Sequence, residues 1–336
     1  MSRGRPSTKQ LLESLDQARN DLTIIGGLPE PTVFQDVWAG IWTEETHNST
    51  AIEGNTLRLK QVQLLLEDGL VSGSQKDLSE WFEAKAYGET ARWVYREAYL
   101  KKIKVGNEPR ISEAEIREIH RRVVESVWMY FPPDGLVRGE KPGAYRLKDH
   151  DPLRQDLPPV PCSVVGSELA HWVELANDDE WSEAQGLHCI ERLAKLHATF
   201  ERIHPFPDGN GRAGRLVLTM LLVEAGYPPA IIYVHERSRY LKALRRADDQ
   251  DCRALTELLA RSVREGIYRF LMPKLAGPLS VVPLAGLADE EISRYALVAA
   301  AQRGRLRANK YSGAWYSTPQ WVKEYKRSRY SRGAAS

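Results

Sequence analysis

The chain has little cysteine, no unbroken apolar run and no overall charge of one sign. Cys162, Cys189 and Cys252 are an odd number without C-x-x-C spacing, so neither a disulfide framework nor a zinc site is encoded, and structural thiols are expected. The longest apolar stretch, Leu216 to Val234, is interrupted by Glu224, Gly226, Pro228 and Pro229 and falls short of the roughly 20 apolar residues that a membrane span needs. The start, MSRGRPSTKQLLESLDQ, is basic and then amphipathic and lacks the apolar core of a secretory signal, so a cytoplasmic location is expected. With 47 Lys and Arg against 45 Asp and Glu and 42% apolar residues, the composition excludes disorder, collagen and coiled coil. The 336 residues suggest about two domains, at roughly 150 residues each.

Apolar residues recur at helical spacing almost throughout: Leu11, Leu12, Leu15; Ile116, Ile119, Val123, Val127; Leu193, Leu196, Phe200; Leu216, Met220, Val223; Leu255, Leu258, Leu259. Strand-like alternation is scarce, so the fold class is mostly α. The proline-rich stretch Asp151 to Pro161 reads as a loop or short hairpin, and Pro273 to Pro283 as a domain boundary. From Arg303 onward nine Lys and Arg face Glu324 alone, a net +8 that leaves −6 on the rest of a chain whose total is +2. A basic end on an acidic body makes nucleic acid a candidate partner of the end alone.

The densest chemistry lies at His204-Pro205-Phe206-Pro207-Asp208-Gly209-Asn210-Gly211-Arg212-Ala213-Gly214-Arg215. Two glycines flank Asn210 just before an apolar helical run, so a tight turn hands its N–H groups to a helix N-terminus, a site suited to anions. Arg212 and Arg215 share the first turn, where the helix dipole disfavours cations, and they therefore need an anionic partner nearby. Asp208 offers a hard oxygen to Mg²⁺, and His204 a base with a pKa near neutrality. Singly, each of these has an ordinary structural explanation; within twelve residues they make the inventory for nucleotidyl or phosphoryl transfer.

This segment resembles the signature H-P-F-x-[D/E]-G-N-G-R-x-x-R of the Fic family at every position. The resemblance implies a Fic-fold helical core with a short β-hairpin flap, and transfer of AMP from ATP to a Ser, Thr or Tyr hydroxyl of a target protein. His204 would take the hydroxyl proton and Asp208 would hold Mg²⁺. The backbone at Gly209, Asn210, Gly211, Ala213 and Gly214 would line the phosphate site, Arg212 and Arg215 would bind the β- and γ-phosphates, and Phe206 would pack the loop. Gly143-Ala144-Tyr145-Arg146 with the proline-rich stretch looks like the flap on which a target segment is laid. Tyr240 would border the base, although its spacing from Leu244 suits a core residue equally.

Ser49 and Glu53 are four apart and Gly54 follows, so Glu53 is expected at a helix C-terminus, where the dipole opposes its charge. Beside the 204–215 motif, Ser49-x-x-x-Glu53-Gly54 resembles the Fic inhibitory helix, which implies that Glu53 pairs with Arg215 and blocks productive ATP binding. In some members the same glutamate also helps to remove AMP. The class is commonly homodimeric and often carries a C-terminal winged helix-turn-helix, which 284–336 resembles. That would set Arg303, Arg305, Arg307 and Lys310 against DNA phosphates, while the residues alone fit equally a basic end in which Trp315, Tyr316 and Trp321 close a mini-core. The expected division is 1–110 N-terminal helical region, 111–272 catalytic core and 284–336 basic module. Alternative readings are a DNA-binding regulator that senses nucleotide, and an enzyme that transfers another phosphate-linked group.

Overall fold

The computed structural model describes residues 6–24, 26–69, 75–104, 108–150, 159–272, 274–275, 281–289, 291–311 and 314–331. The helical periodicity becomes α1 (Thr8–Ile24), α2 (Gln35–Ile52), α3 (Leu59–Asp68), α4 (Gln75–Ile103), α5 (Glu113–Tyr130), α6 (Val165–Asn177), α7 (Asp179–Ala184), α8 (Cys189–Ile203), α9 (Asn210–Glu224), α10 (Arg237–Asp248) and α11 (Arg253–Gly266). A single π-turn at Ile267–Leu271 extends α11. β1 (Val282–Pro283), α12 (Arg294–Gln302), β2 (Asn309–Tyr311), β3 (Ala314–Ser317) and α13 (Pro319–Ser331) complete the order. Among the described residues no helix is long and apolar enough to cross a membrane.

α9 is the axis of the molecule. Its sequence is apolar all round after the first turn, the pattern of a helix covered on every side, and α4, α5 and α8 pack around it while α2 crosses beside them. Helix starts are fixed locally. Ser112 Oγ accepts the Glu115 N–H at 3.3 Å and Glu115 returns a carboxylate to the Ser112 N–H at 2.9 Å, a capping box that starts α5. His188 does the same work for α8, its Nδ1 accepting from the Ile190 N–H at 3.1 Å.

The main apolar core runs from Leu11 and Leu15 in α1 through Leu216 and Met220 in α9 to Leu297 and Trp321 near the end and draws on 1–110, 111–272 and 284–336, while Leu57, Val62, Leu65, Trp81 and Ala84 form a second, small cluster. The last segment forms a small antiparallel sheet of order β1-β3-β2, with Val282 opposite Ser317 and Lys310 opposite Trp315. The turn at 312–313 lies outside the described residues, as do 151–158, 276–280 and 332–336. α12 begins only at Arg294, after a turn. Asp289 Oδ1 first takes the N–H groups of Glu291 and Ile292 in a turn, and Ser293 Oγ then caps the helix by accepting from Ala296.

The expected hairpin is not formed by the described parts of the flap: 143–150 and 159–161 contain no strand. The backbone donors are spent elsewhere. Gly143 N–H goes to His120 Nδ1 at 2.9 Å, Arg146 N–H to the Pro205 carbonyl at 3.0 Å and Leu147 N–H to Glu140 Oε1 at 2.8 Å, so these three donors are not available to a ladder.

Candidate active site

The loop from His204 to Gly209 joins α8 to α9 and is held by its own chemistry. Asn210 closes it twice, accepting the Phe206 N–H at 2.8 Å and donating to the Phe206 carbonyl at 2.7 Å. The Phe206 ring is fully buried and stacks on His120 of α5, with centroids 3.8 Å apart and planes 3° apart. His120 accepts from Gly143 through Nδ1, so its ring proton sits on Nε2 and is donated to the Asp208 carbonyl at 2.8 Å. Burial pushes the His120 pKa down to about 4, consistent with this neutral form. Gly209, at φ +80°, is required in the turn: a Cβ there would lie 2.7 Å from Val124 Cγ1.

His204 is the C-cap of α8 and has φ +49°, the left-handed region that non-glycine residues seldom adopt. The surroundings enforce it. Its N–H bonds the Phe200 carbonyl at 3.1 Å, and its own carbonyl accepts from Arg146 Nε at 2.8 Å. Arg146 is 1% exposed and also donates to Lys148 O and Val160 O, so it straps the former flap segment to the end of α8. His204 Nδ1 lies 3.2 Å from the Glu201 carbonyl, which can only accept; the ring proton is therefore on Nδ1 and Nε2 carries the free lone pair.

Arg212, in the first turn of α9, and Arg215, in the second, reach different carboxylates. Arg212 reaches Glu83 of α4 at 2.5 Å and Asp208 at 3.3 Å. Arg215 donates from Nε to Ser49 Oγ at 2.7 Å and from Nη2 to Ser49 O at 2.9 Å and to Glu53 Oε1 at 2.8 Å. Burial pushes the Glu53 carboxyl up, but the Arg215 guanidinium outweighs it and holds the pKa below the ordinary value. Glu53 is the C-cap of α2, followed by Gly54 at φ +113°. Its carboxylate lies so close to α9 that a Cβ at Gly211 would meet Oε1 at 2.4 Å. The cations that the helix dipole disfavours are thus compensated by carboxylates on α2 and α4.

Glu53, His204, Gly211, Arg215 and Tyr240 line one cleft of about 310 Å³, with Ile52, Leu241 and Leu244 on its apolar side and Arg237 beside Glu53. Arg237 Nε donates to the Ile52 carbonyl at 2.7 Å and so holds the end of α2. Tyr240 is 1% exposed, and its hydroxyl meets His197 Nε2 at 2.7 Å, making it both core and cleft wall. Glu201, on the same wall, has its pKa raised by burial to about 8. Among the described residues no three His, Cys, Asp or Glu side chains cluster to hold a metal. The lone half-exposed Asp208 suits only a cation held otherwise by phosphate oxygens and water.

Of the motif residues, His204, Gly211 and Arg215 line the cleft with Glu53 and Tyr240. Asp208 and Arg212 do not line it and pair with each other, Arg212 also with Glu83. Arg303, Arg305, Arg307 and Lys310 lie elsewhere, on the C-terminal segment. Arg303, Arg305 and Lys310 are exposed. Arg307 instead pairs with Asp21 of α1 and sits 4.2 Å over the Trp321 ring, a docking contact. His120, Glu83 and the bracing role of Arg146 escaped the sequence reading. Only His120 left a signal, as one polar residue within the apolar stripe of Ile116, Ile119 and Val123.

Residues 110–222 match the Fic/DOC family. The chain is 29% identical over 291 residues to the protein adenylyltransferase Fic of Nematostella vectensis, covering 82% of this chain and 60% of that protein. It is 30% identical over 284 residues to the protein adenylyltransferase Fic of Culex quinquefasciatus, covering 83% and 51%. Among solved structures, Fic-1 from C. elegans aligns with a TM-score of 0.63 and 26% identity over 79% of this chain and 72% of that one. The chain thus spans little more than half the length of these two curated relatives.

Proposed function

The chain belongs to the Fic/DOC family, and from that premise we propose that it is a protein adenylyltransferase, moving AMP from ATP to a hydroxyl side chain of a target protein and restrained by its own Glu53. The carrying observation is that a bare imidazole nitrogen and a buried arginine flank the N-terminus of α9 in one cleft. The N–H groups of that helix end and the guanidinium of Arg215 favour a polyphosphate. His204 Nε2 accepts the proton of the target hydroxyl as its oxygen attacks the α-phosphorus; the bond to the β-phosphate oxygen breaks and pyrophosphate leaves. Asp208 would hold Mg²⁺, which when bound neutralises charge on the phosphate oxygens.

Glu53 occupies Arg215, the cation that the terminal phosphate needs, so the resting protein binds ATP unproductively. The test is labelling of a cell lysate with ATP radiolabelled at the α-phosphate, using wild type, Glu53→Gly and the Glu53→Gly, His204→Ala double variant. Label should rise with Glu53→Gly and vanish in the double variant. Label carried only by γ-labelled ATP would instead identify phosphate transfer.

DNA is a second partner we propose, through the C-terminal segment. The observation favouring it is a three-stranded sheet beside α12 with Arg303, Arg305 and Lys310 left exposed. Affinity of the full chain for duplex DNA should fall steeply with salt, and Arg303→Ala, Arg305→Ala should flatten the slope by about 1–2 units. A slope unchanged in that variant would remove these residues from the contact.

A further inference from the structure

Glu45 lies two turns ahead of Glu53 on the same face of α2, and the chemistry proposed above makes no use of it. It is 4% exposed. Thr219 of α9 donates to its Oε1 at 2.9 Å, Tyr95 of α4 donates to Oε2, and the Tyr87 hydroxyl stands farther off at 3.5 Å. A buried carboxyl is costly, and burial pushes its pKa up to about 7 against these hydroxyls and the charge of Arg215 one turn along α9. Such a group is conspicuous on the very helix that carries the restraint.

Its position has a regular geometry. Glu45 faces Thr219, Ser49 faces Arg215, and Glu53 lies against Gly211, so the contacts step by four along both helices, in opposite directions. Two of these three rungs end at the nucleotide cleft, where a polyphosphate competes for Arg215. The Glu45–Thr219 rung lies outside the residues that line the cleft, so nothing bound there replaces it. A slip of α2 by one turn, about 5.4 Å, would break all three rungs together.

We propose that Glu45 is a positioning residue of the self-inhibition: held by Thr219 and Tyr95, it sets the register of α2 on α9 that delivers Glu53 to Arg215. This rests on the reading of Glu53 as a restraint. Thr219→Val removes the donor from α9 with almost no change of volume, Thr219→Ser keeps it, and Glu45→Gln keeps the shape but loses one acceptor.

Each variant is made in the full chain, with Glu53 present and with Glu53→Gly, and labelled with α-radiolabelled ATP alongside a thermal melt. With Glu53 present, Thr219→Val and Glu45→Gln should raise labelling by about fivefold or more, and Thr219→Ser should stay silent. In the Glu53→Gly background all three should label within about twofold of Glu53→Gly alone, because no restraint remains to be positioned. The proposal falls if neither Thr219→Val nor Glu45→Gln raises labelling with Glu53 present, or if both lower it equally in the two backgrounds together with Tm, the signature of packing alone. If Glu53→Gly itself labels no better than wild type, the restraint reading fails first and takes this one with it.

Discussion

At neutral pH the His204 imidazole is uncharged. Burial, and then the neighbouring His150, push its pKa down from 6.5 to about 4, although the bond to the Glu201 carbonyl and the charge of Glu53 pull the other way. His150 meets it edge-on, with ring centroids 5.1 Å apart. A base with a depressed pKa stays deprotonated well below the usual histidine range, and its Nδ1 bond reserves Nε2 for the incoming proton. The acid limb of kcat/KM for Glu53→Gly should therefore lie below pH 6.5. Removing Glu53 also removes a charge that raises the pKa, so the variant should not shift the limb upward. A profile from pH 4.5 to 8 decides this, over roughly the range in which histidines titrate. A limb at 6.5 or above would mean that the buried, neutral imidazole is not the base.

At the scale of elements, the site is the meeting of one loop with three helix ends, and the parts that sequence could reveal are those with local causes. Steps of three and four residues along a helix and a glycine after a helix end are properties of a short stretch of chain. Thus Glu53 stands at a C-terminus and Asn210 opens a helix, as their neighbours require. Whatever depends on two distant segments was illegible. Glu83 meets Arg212 across 129 positions, and His120 reaches the Asp208 carbonyl across 88. The flap shows the same limit: the resemblance implied a hairpin, while in its described part the donors of Gly143 and Arg146 go to His120 and Pro205 of other elements. The third rung of α2 is an intermediate case. Ser49 and Glu53 are visible as one face, but Glu45 on the same face went unread and Thr219 as its partner is not visible at all.

For the whole molecule, the groups that shape the cleft also govern stability, because they are buried around α9. Burial depresses His120 and His204 to about 4 and His197 to about 3, and raises Glu45 to about 7 and Glu201 to about 8. The two sets act in opposite directions. A depressed imidazole contributes stability that is full above its ordinary 6.5 and is lost as pH falls toward the folded value. A raised carboxyl contributes stability that is full below its ordinary 4.5 and is lost as pH rises through 7 and 8. Between pH 4.5 and 6.5 the three imidazoles outweigh the two carboxyls, and above 6.5 only the carboxyls act, so Tm should peak at about pH 6–7 and decline on both sides. Glu201→Gln cannot ionise and should flatten the alkaline decline while steepening the acid limb between pH 4.5 and 6.5, where Glu201 opposes the imidazoles. Melts of the full chain from about pH 5 to 9 read both limbs, a span set by the ordinary and shifted values of these groups. A Tm that keeps rising through pH 8 in the wild type would show that Glu45 and Glu201 are ionised in the fold, with the cleft wall wetter than its packing implies.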